Sequence, residues 1–81
     1  MFGAELKKAR ETAGLSQEKL AFEAEIDRSY VSLLENDRKS PTLDVLFRIC
    51  DAIGLPASEL IGRVEKTRRA KPAAKSSKQR R

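Results

Sequence analysis

Histidine is absent from this 81-residue chain, and cysteine occurs once, as Cys50. Without histidine the commonest general base and metal ligand is missing, and one thiol can neither close a disulfide within the chain nor build a metal site alone. There is no glycine-rich phosphate loop and no cluster of residues at metal-ligand spacing, and the carboxylates fall mostly on helix faces that read as solvated. The parts for catalysis are missing, so the chain reads as no enzyme; no metal or other cofactor is expected and no small-molecule ligand is evident. A single cysteine suits a reducing, intracellular compartment. Met1-Phe2-Gly3-Ala4 runs straight into the charged stretch Glu5-Leu6-Lys7-Lys8, which leaves no apolar signal core, and nowhere is there a membrane span of ~18 apolar residues. The expectation is a soluble, cytoplasmic protein. No segment alternates with period two for long enough to make a strand, and no internal repeat is visible.

What is present is charge, unevenly placed. Residues 62 to 81 hold nine basic side chains and one acidic one, a net +8, whereas residues 1 to 61 carry a net charge of −3. The bulk basicity therefore says nothing about whether the folded part binds a polyanion. From Glu65 onward the apolar residues are alanines and the single Pro72, so the segment cannot bury enough surface to offset ordering entropy. This divides the chain into one small domain, residues 1–62, and a basic flexible tail, residues 63–81, that is disordered when unbound. A domain this short buries a modest core, and a dimer partner would help it.

The domain reads as five helices and no strand. Phe2, Leu6, Ala9 and Ala13 recur at helical spacing before Gly14, predicting a helix over roughly 3–13. Ser16 is a good N-cap for a two-turn helix holding Leu20, Ala21 and Ala24. Asp27 is the next N-cap, opening a third helix over about 28–36 with Val31 and Leu34 on the face that Ile26 introduces. Thr42 caps a fourth, whose Leu43, Leu46, Phe47, Cys50 and Ile53 follow the helical period up to Gly54. Pro56 suits the first turn of a short fifth helix ending at Gly62. Cys50, at a core-spaced position, reads as a small buried hydrophobe, with a redox sensor as the rarer alternative.

Two short helices joined by a three-residue connection, with small Ala21 on the first and Ile26, Val31 and Leu34 on the turn and second, form a tight corner. With Gly14-Leu15-Ser16-Gln17-Glu18-Lys19-Leu20-Ala21, Ser29-Tyr30-Val31-Ser32-Leu33-Leu34-Glu35-Asn36, Ser40-Pro41-Thr42-Leu43 and Ala52-Ile53-Gly54, the chain resembles the lambda repressor and Cro (XRE-type) helix-turn-helix family over about residues 3 to 61. The string Asp27-Arg28-Ser29-Tyr30-Val31-Ser32 is most similar to the small controller proteins of restriction-modification operons. The resemblance implies a compact all-α, lambda-repressor-like domain that regulates transcription by binding double-stranded DNA as a homodimer on a palindromic operator, associated with the nucleoid. It also implies an inward-facing salt bridge between Arg10 and Glu35.

In this motif the second helix enters the major groove with its N-terminal residues at base edges, which makes Arg28, Ser29, Ser32 and Leu33 the outward candidates. Arg28 suits a bidentate pair to guanine, and the two serines specify less. Leu33 can pack on a thymine methyl or in the core. Gln17 opens the motif's first helix, the second of the chain, where free N–H groups favour a phosphate, and the family uses this position as a phosphate clamp. Tyr30 can reach phosphate or base, or be partly buried. Asn36, Arg38 and Lys39 can clamp the DNA backbone or be solvated surface. The family usually has glycine where this chain has Glu25, because the motif's first helix ends there in a left-handed turn.

Leu55, Leu60, Ile61 and Val64 are candidates for a dimer interface holding two third helices about 34–36 Å apart, although Leu55 and Leu60 can instead complete the core. Two rivals stand beside this reading. One is an architectural or RNA-binding protein dominated by its tail; the other is a protein-interaction module such as the antidote of a toxin pair.

Overall fold

The computed structural model describes residues 1–69, and these hold five helices: α1 (Phe2–Thr12), α2 (Gln17–Ala24), α3 (Arg28–Glu35), α4 (Leu43–Ile53) and α5 (Ala57–Arg69). Local chemistry sets the boundaries. The Ser16 and Thr42 hydroxyls accept the backbone N–H of Lys19 and Val45 at 3.0 and 3.1 Å, capping α2 and α4. Asp27 stands in the N-cap position of α3 with extended backbone, but its side chain makes no capping bond. There the cap is the backbone alone, the Asp27 carbonyl accepting from Tyr30 and Val31.

The first four helices stop in a left-handed residue, at Gly14, Glu25, Asp37 and Gly54. After α1, α2 and α3 that residue donates its N–H three residues back while its successor donates five residues back, as Glu25 does to Phe22 and Ile26 to Ala21. These paired bonds occupy carbonyls that a helix end leaves unmet. Two of the four stops are glycine and two are not, and the two exceptions, Glu25 and Asp37, bracket α3.

Leu6, Leu20, Ala21, Ala24, Val31, Leu34 and Ile49 form the main core, where α2 meets α3 and α4. Ala21 and Ala24 are small enough for these helices to cross closely. A second cluster, Ala9, Leu46, Cys50 and Leu60, seats α5 against α1 and α4. Each fully buried leucine, isoleucine or valine here contributes roughly 1.5–3 kcal/mol relative to exposure.

Three expectations are corrected. The fifth helix does not end at Gly62 but runs through it to Arg69. Glycine inside a helix costs only about 1 kcal/mol, and the Glu59–Arg63 pair at 2.9 Å and the half-buried Val64 offset it. The first residues of the expected tail therefore belong to the helix, and residues 70–81 of that tail lie outside the described residues. Leu60 is fully buried in the monomer, so it is core and not interface. Leu43 and Phe47 share the spacing of the α4 core residues yet are 68% and 54% exposed. At 100° per residue they flank the Leu46–Cys50 edge instead of lying under it. Among the described residues no helix is long and apolar enough to cross a membrane.

Candidate nucleic-acid interface

α3 is amphipathic to a degree its eight residues make plain. Val31, Leu34 and Glu35 are buried, Tyr30 is half-buried against the core, and Arg28 and Ser29 are exposed. Ser32 and Leu33 are half-buried. At helical spacing Arg28, Ser32, Ser29 and Leu33 occupy one continuous arc of about 140° opposite the buried face. Arg28, at the first position of the helix, makes no ion pair with any described carboxylate.

A polar network fixes this helix to the rest of the domain. Arg10 Nε donates to Glu35 Oε2 at 2.6 Å and Arg10 Nη2 to Glu35 Oε1 at 3.2 Å. Arg10 Nη1 reaches the Leu15 carbonyl in the α1–α2 turn at 2.8 Å. Gln17 Nε2 donates to Glu35 Oε1 at 3.0 Å. One carboxylate thus ties α1, the start of α2 and the end of α3 together. Both charged partners are buried, at 8% and 9% exposure. Hydrogen bonding to Glu35 outweighs burial and holds the Arg10 pKa above its ordinary value.

Gln17 therefore uses one of its two amide hydrogens inside the protein. The other, together with the first-turn backbone N–H groups of Gln17 and Glu18, is what remains for an anion, since the Lys19 N–H is taken by Ser16. Asn36 likewise turns its Nδ2 back to the Ser32 carbonyl at 2.8 Å. Arg38 and Lys39 are exposed in the loop after α3, also without a carboxylate partner among the described residues. Glu25 is exposed, and its carbonyl accepts from Arg48 on α4 at 3.3 Å.

Two residues in this region escaped sequence reasoning. Asp37 is left-handed (φ 57°); its Oδ1 accepts the Gly3 N–H and its Oδ2 the Met1 α-ammonium, each at 2.9 Å. These bonds, the ammonium first, hold its carboxyl below the ordinary carboxylate range. Gly3 itself presses on the end of α3, where a Cβ would stand 2.2 Å from the Glu35 carbonyl oxygen. The available signal for Asp37 was its type, since aspartate tolerates the left-handed region that commonly follows a helix. Nothing local marked Gly3.

The remaining candidates lie elsewhere. Ile61 is 45% exposed, while Leu55 and Val64 are half-buried on the α5 side. Cys50 is buried, and burial pushes its thiol up, away from thiolate. Two open clefts, of about 320 Å³ between α2 and α4 and about 170 Å³ among α1, α4 and α5, include no residue of α3.

Comparison with known proteins matches residues 6–60 to the helix-turn-helix family model. The control protein C.MunI of a Mycoplasma species is 41% identical over 66 residues, which is 80% of this chain and 89% of that protein. The control protein C.BamHI of Bacillus amyloliquefaciens is 34% identical over 62 residues, covering 75% of this chain and 76% of its own length. Among solved structures, the restriction-modification controller protein C.AhdI from Aeromonas hydrophila is similar at a TM-score of 0.71 and 37% identity, covering 73% of this chain and 89% of that one.

Proposed function

Because the chain belongs to the helix-turn-helix family, we propose that it is a transcriptional regulator that reads double-stranded DNA in sequence-specific fashion, as a dimer on a two-fold operator. The observation that carries this reading is the outward arc of α3, with an arginine that pairs with no described carboxylate at its N-terminal end and the basic Arg38–Lys39 loop at the other. Arg28 pairs with O6 and N7 of a guanine, a contact worth about 1–3 kcal/mol of discrimination. Ser29 and Ser32 accept or donate at neighbouring base edges, and the exposed part of Leu33 meets a thymine methyl. Gln17, Tyr30, Asn36, Arg38 and Lys39 hold the phosphates that fix the register.

The second copy binds through Leu43 and Phe47 of α4 and Ile61 of α5, the exposed apolar residues beside the α4–α5 seam. Leu55 and Val64 extend this face, and Leu60 supports it from beneath. Basic side chains from Lys66 to Arg81 add sequence-independent attraction to phosphate. The likeness to control proteins supports a restriction-modification operon as the target. Occupying DNA is the whole of this action, so neither catalysis nor a cofactor enters it, and it takes place in the cytoplasm.

Selection of bound duplexes from a random-sequence pool tests the reading. The expected product is a pair of related half-sites about one helical turn apart, with Arg28→Ala flattening preference at one base pair per half-site. Recovery of no enriched sequence would overturn it in favour of tail-dominated, non-specific binding.

A further inference from the structure

We propose that Asp37 is a positioning residue for DNA binding, whose tether to the first turn of α1 holds the loop after α3 so that Arg38 and Lys39 face phosphate. This rests on the reading above for the roles of Arg38 and Lys39, and goes beyond it in naming what sets their geometry.

Three observations converge. First, Asp37 adopts φ 57°, a left-handed conformation that few non-glycine residues other than asparagine and aspartate accept. The turn it makes is tightly bonded: Asp37 N–H donates to the Leu34 carbonyl at 3.2 Å and Arg38 N–H to the Leu33 carbonyl at 2.8 Å. The direction in which Arg38 leaves α3 is therefore set at Asp37. Second, the carboxylate is anchored across 34 residues of sequence by the Gly3 N–H. That N–H belongs to the α1 N-terminus, where free amides and the helix dipole favour an anion. Third, the anchor is placed by contact with no slack. Gly3 abuts the Leu34 and Glu35 carbonyl oxygens so closely that a Cβ would stand 2.8 and 2.2 Å away.

Charge makes the same point. A free carboxylate between Asn36 and Arg38 would repel the DNA backbone that its neighbours attract. Here both of its oxygens are engaged by N–H donors, one of them cationic. The acidic residue thus shapes the loop with its charge directed into α1.

Four substitutions, made singly and in combination in the whole chain, test this, read as the salt dependence of affinity for the selected operator and for a random duplex. Asp37→Asn keeps tolerance of the left-handed turn and an oxygen for Gly3 N–H. Asp37→Gly suits the φ but has no tether. Arg38→Ala and Lys39→Ala, singly and together, are the references. Each lost phosphate contact lowers the log–log slope by about 0.9, which shrinks the affinity gained between about 200 and 50 mM salt roughly 3.5-fold.

Asp37→Gly is expected to lose about one to two such contacts on both duplexes, with base preference unchanged and Asp37→Asn close to the parent. Added to the Arg38→Ala/Lys39→Ala pair, Asp37→Gly should change the slope no further. An unchanged slope in Asp37→Gly, when Arg38→Ala or Lys39→Ala lowers it, would overturn the positioning role alone. Tighter binding by both Asp37 variants would overturn it too, since the carboxylate would then be merely repulsive. If neither Arg38→Ala nor Lys39→Ala moves the slope, the loop assignment itself falls and the proposal with it.

Discussion

Glu35 concentrates more of the domain's organisation than any other single side chain. Its two oxygens accept from Arg10 Nε and Nη2 and from Gln17 Nε2 while it is almost wholly buried. A buried ion pair adds little over a well-packed apolar alternative, but removing one partner strands the other. Glu35→Ala leaves a buried guanidinium and a half-buried amide without their acceptor. The expected loss is about 3–5 kcal/mol of unfolding free energy, checked by urea denaturation. Arg10 and Glu35 are legible as a pair only through family likeness, because residues 25 positions apart leave no periodic trace of their meeting. The place of Gln17 at a helix start is local and legible, whereas its bond to Glu35 is not.

At the scale of elements, the ends of the helices distinguish this chain more than their interiors do. Glu25 carries the left-handed turn (φ 61°, ψ 46°) that positions α3 after α2. Glu25→Gly relieves about 1–2 kcal/mol of strain and gives back about 0.4–1 kcal/mol through a freer unfolded chain. Equilibrium denaturation should therefore show a gain of roughly 0.5–1 kcal/mol, with the selected DNA sequence unchanged.

The Asp37 turn is sensitive to acid in a defined direction. Its folded pKa is depressed, so the stabilisation is complete above the unfolded carboxylate value of about 3.9 and disappears as pH falls through the lower folded value. The stability difference between the parent and Asp37→Asn should accordingly be constant at neutral pH and close below about pH 4, as followed by denaturation midpoints. The first four helices were legible because caps, glycine stops and periodicity are local signals. The end of α5 was not, since Gly62 looks the same as a stop or as an interior residue until Arg63 and Val64 are seen to pack.

For the molecule as a whole, the unresolved sequence question was which apolar residues turn outward. Periodicity groups Leu43 and Phe47 with Leu46 and Cys50, and only the seating of α5 on Leu46 and Cys50 separates covered from uncovered. The same seating moved Leu60 from the expected interface into the core. Phe47→Glu should leave the fold intact, because the ring is 54% exposed, and should shift sedimentation from dimer to monomer. Operator affinity is expected to fall about a hundredfold or more with it, since two linked half-site contacts generate the avidity. The meeting of Gly3 with the end of α3 also has a consequence in time. On a ribosome the first turn of α1 is made early, yet its amide partner lies 34 residues downstream. The tether from Gly3 to Asp37 therefore cannot close until the whole of α3, the helix proposed to read DNA, has been synthesised.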